Sequence, residues 1–285
     1  MHTISTGPRN PWNLSINAAG SIHDDATAAD LGFRAGTVAG DIHLEQFGGI
    51  LTEAFGQRWF EQGSLSLYFL TPTAHREPVD AFLDLPSTPP LSHVQVTARM
   101  ATPDGTPVAE GTASVGAVSE PSALSSRERR PVDPASLRML RGVAPGTPLD
   151  RHVRRPWAAD QLRRLKEGSM TAPLPWYDGE SPWGGPVCSP LTMCRVLVAG
   201  MTESIERQCG EFVGMYGAIE VRHVDGPMFL DVEYEVTGEV LAVSESPKTE
   251  VLWFRTEARP AGESRVVAEL TMMTRLLKDS SPLYA

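Results

Sequence analysis

Ala101-Thr-Pro-Asp-Gly105-Thr-Pro-Val-Ala-Glu110-Gly-Thr-Ala-Ser-Val115 and Ala258-Arg-Pro-Ala-Gly262-Glu-Ser-Arg-Val-Val-Ala-Glu269-Leu-Thr-Met-Met273 follow one pattern. Each is a strand, a turn built on Pro and Gly, and a second strand carrying Val-Ala-Glu, which is the signature of a β-hairpin. Upstream, Gly63-Ser-Leu-Ser-Leu-Tyr-Phe-Leu70 matches Gly217-Ala-Ile-Glu-Val-Arg-His-Val224 as a further alternating strand. Before each of these lies an apolar stretch of helical length, Asp41 to Gly56 in the first half and Ser189 to Glu206 in the second. The matches share an offset of roughly 150 residues, so the chain reads as two copies of one module.

The helical stretches are unusual for surface helices. Gly48-Gly49 costs an isolated helix about 1 kcal/mol per glycine relative to alanine, which predicts close packing of that helix against a sheet. Leu191, Val196, Leu197 and Val198 make the second helix apolar on most sides, which also predicts burial. Each half therefore reads as an apolar helix followed by about four antiparallel strands. A long helix wrapped by a curved antiparallel sheet is the hotdog architecture, an α+β fold, and two copies side by side form a double hotdog. Each copy leaves an edge strand that the other can pair with. The expected division is an N-terminal module over 1–118, a linker over 119–148, and a C-terminal module over 149–285. The linker is rich in Ser, Pro and Arg, with a short helix expected around Pro134 to Leu140 and its charges solvated.

Composition narrows the function classes. The chain has 285 residues, 41% hydrophobic and 21% charged, close to globular averages, so disorder and collagen-like repeats are excluded. Lys and Arg number 25 against 35 Asp and Glu, a net charge of −10, which argues against a general nucleic-acid binder. No stretch approaches the roughly 18 apolar residues of a membrane span. Met1 to Trp12 is polar and has no secretory apolar core. Cys188, Cys194 and Cys209 lack metal-ligand spacing and suit a reducing, cytoplasmic setting. With no ligand cluster and no glycine-rich dinucleotide loop, neither a metal nor a redox cofactor is implied.

The chemistry-bearing segment is Ser15-Ile-Asn17-Ala-Ala-Gly-Ser21-Ile-His23-Asp-Asp25, followed by an alanine-rich helix from Ala26 to Leu31, then Gly32-Phe33-Arg34 and a loop to Gly40. His23 enters on a turn, and Gly40 sits near the start of the long helix, where backbone N–H groups are unpaired and the dipole is positive. A histidine base beside free N–H donors suits acid–base chemistry on an acyl thioester. Asp24 and Asp25 open a helix and are expected to cap it. His43 and Glu45 are unexpected polar residues on a packing helix and could reach the site near His23.

These residues resemble a known family. Ile22-His23-Asp24-Asp25 through Gly32-Phe33-Arg34 to Val38-Ala39-Gly40 is similar to the MaoC-like dehydratases and (R)-specific enoyl-CoA hydratases, and Phe69-Leu-Thr-Pro72 resembles the family's downstream strand end. The resemblance covers roughly residues 12 to 117. It implies a catalytic role for His23 and an oxyanion role for the Gly40 N–H. It places Asp25 and Phe33 on the substrate side. The family's catalytic aspartate, five residues before the histidine, is replaced by Ala18, and Asn17 is the residue positioned to orient water. In the second half, Pro175-Trp176-Tyr-Asp-Gly-Glu-Ser-Pro-Trp183-Gly-Gly-Pro186 occupies the equivalent place without a histidine. Trp176 and Trp183 are expected to wall the substrate site. The implied activity is hydration of a 2-enoyl thioester, or dehydration of its 3-hydroxy form, on coenzyme A or an acyl-carrier protein. Thioester hydrolysis and non-catalytic acyl binding are the alternatives, and a homodimer of double hotdogs is compatible with the reading.

Overall fold

The structure is a computed structural model describing residues 1–88 and 93–285. The first half contributes β1 (His2–Ser5), β2 (Gly63–Phe69), β3 (Asp80–Leu85), β4 (Val94–Ala101) and β5 (Pro107–Val115). The second contributes β6 (His152–Arg154), β7 (Gly214–His223), β8 (Tyr234–Glu245), β9 (Thr249–Pro260) and β10 (Ala268–Leu277). All ten form one antiparallel sheet in the order β1-β3-β4-β5-β2-β7-β10-β9-β8-β6. Each half repeats the other's order about a midline between β2 and β7. The two expected hairpins are β4–β5 and β9–β10. The fold is the double hotdog that the repeats predicted.

The midline pairing runs from Ser64 opposite Arg222 to Tyr68 opposite Ala218. Because side chains alternate across a pleated strand, this register lines up two rows. Leu67, Ile219, Met272, Phe254 and Val240 are successive neighbours on one face, and all are buried in the main core. Tyr68, Ala218, Met273, Trp253 and Ala242 form the corresponding row on the other face.

The core-side row is covered by helices. The stretch from Asp41 to Gly56 is helical in two pieces, after α1 (Asp25–Asp30): α2 (Gly40–Glu45) and α3 (Gly48–Phe55), with α4 (Gln57–Gln62) next. In the second half, α5 (Ala158–Glu167) precedes α6 (Pro190–Val198) and α7 (Glu203–Cys209). Helices α2 and α6 pack against one another beneath the sheet midline. The glycine pair has a different cause from the one expected. A Cβ on Gly48 would lie 2.6 Å from the Tyr177 hydroxyl, so the close approach is to a buried tyrosine of the other half rather than to the sheet.

The opposite face is covered by the segment between the halves. Leu124 is buried against Ala218, Ala242, Val251, Trp253 and Met273, and its N–H donates to Ser66 Oγ at 3.0 Å. The Arg127 guanidinium lies 3.5 Å from the centre of the Tyr68 ring and pairs with Glu110 at 2.7 Å. Further on, Leu137, Met139, Leu140 and Val143 enter the main core. The only helical residues of the segment are the 3-10 turn Pro134–Ser136. The segment's charged residues stay exposed or half-buried, as expected, while its apolar residues form a strap across the sheet, because the outer face carries an apolar row that water would otherwise meet.

One carboxylate fixes the end of that strap. Glu250, fully buried on β9, accepts the backbone N–H groups of Arg138 at 2.7 Å, Met139 at 3.1 Å and Leu140 at 2.7 Å, and also the Tyr284 hydroxyl. Burial pushes the Glu250 carboxyl up, but the Tyr284 hydroxyl and the three N–H donors outweigh it and hold it below the ordinary carboxylate value. Hydrogen bonds to a charged group contribute about 1.5–3 kcal/mol. Glu250→Gln is expected to cost about 3 kcal/mol of unfolding free energy at pH 7. That gap should narrow as pH falls below the ordinary carboxylate value, where the unfolded carboxyl takes up a proton before the native one does. Urea unfolding of both proteins across that range checks it.

Candidate functional site

The loop before α2 is fixed from several sides. Asp24 caps α1, its carboxylate accepting the Thr27 N–H at 3.0 Å. The helix ends in a Schellman arrangement, with Phe33 N–H donating to the Ala28 carbonyl and Gly32 N–H to that of Ala29. Asp25 accepts the Gly36 N–H at 2.7 Å and draws the returning loop over the backbone of His23. Asn13, buried, donates from Nδ2 to the His23 carbonyl at 2.7 Å, while its Oδ1 accepts the Ser15 N–H at 3.0 Å. Ser21 Oγ accepts the His23 N–H at 3.2 Å.

This leaves the imidazole with one orientation. His23 Nδ1 lies 2.7 Å from the Thr37 carbonyl. A carbonyl only accepts, so Nδ1 carries the proton and Nε2 of the neutral ring is left as a base. Three residues after Thr37 the chain enters α2 at Gly40. The preceding residue, Ala39, has no side chain able to cap the helix, so the first N–H groups of α2 meet no capping oxygen. A Cβ at Gly40 would lie 2.5 Å from the Phe69 ring, so only glycine admits this approach.

His23, Gly40 and Phe69 line one cavity of about 1040 Å³. Its near wall is Ile22, Val38, Ala39 and Leu70 to Pro72, which includes the Phe-Leu-Thr-Pro end of β2. Its far wall comes from the second half: Phe212 to Tyr216, and Arg275 on β10. Glu203, Glu206, Arg207 and Glu211 contribute the charged part of the lining. His43 also faces it. The His43 ring is buried, with Nε2 3.0 Å from Thr73 Oγ1, while the Thr73 carbonyl accepts the Val38 N–H at 2.8 Å. Burial pushes its pKa down to about 4, so the ring is neutral at physiological pH.

The other expected site residues lie elsewhere. Asn17 is exposed in the turn before His23, and Phe33 closes the end of α1; neither lines the cavity. Asp25 is occupied by Gly36. Glu45 points to the opposite side of α2, as the roughly 200° rotation between residues two apart requires. There it meets the buried Arg164 guanidinium at 2.9 Å and accepts the Ser189 hydroxyl at 3.0 Å. Burial pushes the Glu45 carboxyl above its ordinary value, against the pull of Arg164 and Ser189.

Trp176 and Trp183 do not reach the cavity either. They stack edge-on with ring centres 5.6 Å apart, each against Phe60 at 5.5 and 5.6 Å, and Phe60 in turn touches His223. His223 holds the place on β7 that Phe69 holds on β2. The aromatic cluster therefore fills, in the second half, the space that is open in the first. Asn13, Thr37 and Thr73 escaped the sequence reading. Asn13, two residues before a serine, carries the signal of an Asx turn, but its bond to His23 is a tertiary contact.

Two outcomes follow from these burials. Arg164→Met strands the Glu45 carboxylate and is expected to cost about 3–5 kcal/mol, whereas Glu45→Leu with Arg164→Met should recover most of it; chemical denaturation measures both. His43 and His223, pushed by burial to about 4 and about 3, are neutral in the fold and protonate near 6.5 when unfolded. The unfolded chain thus binds more protons below that value. Stability should fall on acidification from pH 6.5 toward 4 by about 1.4 kcal/mol per pH unit for each ring. His223→Leu should remove one ring's share of that slope.

Comparison with known proteins places the fold. No family model matches the chain, and no curated protein matches it in sequence. Among solved structures, a MaoC domain protein dehydratase from Chloroflexus aurantiacus superposes with a TM-score of 0.62 at 14% identity, covering 97% of this chain and 94% of that one. A conserved hypothetical protein from Mycobacterium tuberculosis, described as having a double hotdog fold, gives 0.59 at 14% identity over 96% and 95%. A MaoC-like dehydratase gives 0.55 at 15% identity over 96% and 97%. The chain shares the fold of these structures, a double hotdog.

Proposed function

We propose that the protein is an acyl-thioester enzyme of the hydratase–dehydratase type, acting on coenzyme A or carrier-protein thioesters in a reducing cytoplasm. The observation that carries this reading is His23, its Nδ1–H anchored on Thr37 and its ring lining the cavity that Gly40 also lines. The cavity's apolar wall of Ile22, Val38, Phe69, Phe212 and Met215 suits an acyl chain. In the hydration direction, His23 Nε2 takes a proton from water as the water oxygen bonds to C3 of the enoyl thioester. The thioester oxygen gains the negative charge of an enolate and is held by the Gly40 N–H. His23 then returns the proton to C2, so one water is added and the base is restored.

Hydrolysis of the thioester is the second reading. Non-catalytic acyl binding is the third, favoured by Ala18 in the place of the family's aspartate and by the engagement of Asp25 with Gly36, which leave His23 without a carboxylate to share the addition of water. Incubation with 2-enoyl-CoA esters of several chain lengths separates the three. Loss of enoyl absorbance with the thioester intact indicates hydration, and release of free thiol indicates hydrolysis. If neither occurs while the esters still raise the melting temperature, the protein is a binder. His23→Ala is expected to lower turnover by about 10²–10⁴-fold. Gly40→Ala, which drives a methyl into the Phe69 ring, is expected to lower it by at least about tenfold. Turnover that survives His23→Ala unchanged would sink the proposal.

A further inference from the structure

A second concavity, of about 320 Å³, lies between α5, β6 and α6. Its lining contains Arg154, Arg155, Arg163, Arg164 and Arg195, and one acid, Asp160. That density of cations is unexpected in a chain of net charge −10. The arginines differ in how firmly they are held. Arg164 is locked by Glu45 and donates to Thr192 at 2.9 Å, which sets a buried positive wall. Arg195 gives Nε to Asp41 at 2.9 Å, and its side chain remains 44% exposed, which leaves its terminal donors facing outward. Arg154 bonds only backbone carbonyls among the described residues, those of Val153 and Ala199, and so brings a charge with no carboxylate of its own. Arg155 with Glu233 and Arg163 with Glu167 are exposed pairs, of the kind that contributes little and re-pairs readily.

Beside these cations stands Trp157, 54% exposed, at the start of α5. Its ring already accepts the Arg155 guanidinium 4.9 Å from its centre. Guanidinium groups fit phosphate oxygens with paired N–H donors, and an exposed indole offers a stacking face to a planar base. We propose that this concavity is a nucleotide-phosphate site, with the phosphoryl oxygens on Arg154, Arg155 and Arg195 and the base against Trp157. The site is separate from the His23 cavity, and its occupation does not depend on the reaction proposed above.

Calorimetric titration of the full chain with ADP, adenosine 3′,5′-bisphosphate and inorganic pyrophosphate tests it without any turnover. Both nucleotides should bind, with affinity falling as salt is raised. Arg154→Ala with Arg155→Ala should weaken binding by at least about tenfold while the melting temperature holds, since neither guanidinium is buried. Trp157→Ala should weaken the nucleotides several-fold and leave pyrophosphate unchanged. Preference for the 3′-phosphate, with competition against an acyl-CoA, would identify the ligand as the head of coenzyme A. Preference for ADP without such competition would identify a free nucleotide. Absence of binding, or binding indifferent to Arg154→Ala with Arg155→Ala, overturns the site. Pyrophosphate binding as tight as ADP and untouched by Trp157→Ala overturns the base-stacking part.

Discussion

The antiparallel pairing of β2 with β7 is the constraint on which the rest depends. It is a set of backbone hydrogen bonds between residues far apart in sequence, and it removes the inner edge of each half-sheet. Its register aligns the apolar rows of both halves into one core-side face and one outer face. It also brings α2 alongside α6, and the far wall of the large cavity, from Phe212 to Tyr216, up to His23 and Gly40. Neither half alone encloses that space. A slip of one residue would turn Leu67 and Ile219 outward and Tyr68 inward, exposing the first row to water and forcing a phenol into the core.

Polar groups then discriminate between arrangements that apolar burial alone would leave similar. The Glu45–Arg164–Ser189 cluster joins α2, α5 and the start of α6, and burying two charges is tolerable only in the geometry that pairs them. Glu250 performs the corresponding role on the other side of the sheet, where its carboxylate gathers three successive N–H groups of the strap. Both carboxylates are fully buried and tie together segments more than a hundred residues apart.

Local signals in the sequence carried much of the architecture. Alternation in 63–70 and 217–224, the Pro–Gly turns at 102–106 and 260–263, and the apolar stretches before them encode strands and helices through neighbours a few residues away. The duplication then supplied the pairing. The turn holding His23 and the glycine entering α2 were likewise legible, since caps and helix starts are local events. What stayed hidden required knowledge of what each side chain faces. Glu45 and His43 are two residues apart on one helix, yet one meets an arginine of the other half and the other a cavity. Trp176 and Trp183 looked like cavity walls because only the fold reveals Phe60 and His223 packed against them. The strap read as linker because Ser, Pro and Arg dominate its composition, while its few anchors, Leu124 and Leu137 among them, find their partners only across the sheet.

The filled second half changes how the chain can vary. Where a module must keep an open volume, every side chain on its wall answers to two demands, packing and vacancy. At the second half's loop the Trp176–Trp183 pair, packed on Phe60 of the first half, abolishes the second demand. Substitutions there register as loss of folding free energy, in proportion to the aromatic surface removed, whereas those along 20–40 can alter the shape of a void while leaving the melting temperature in place. One chain thereby divides between its halves two burdens that a symmetric pair would have to carry twice.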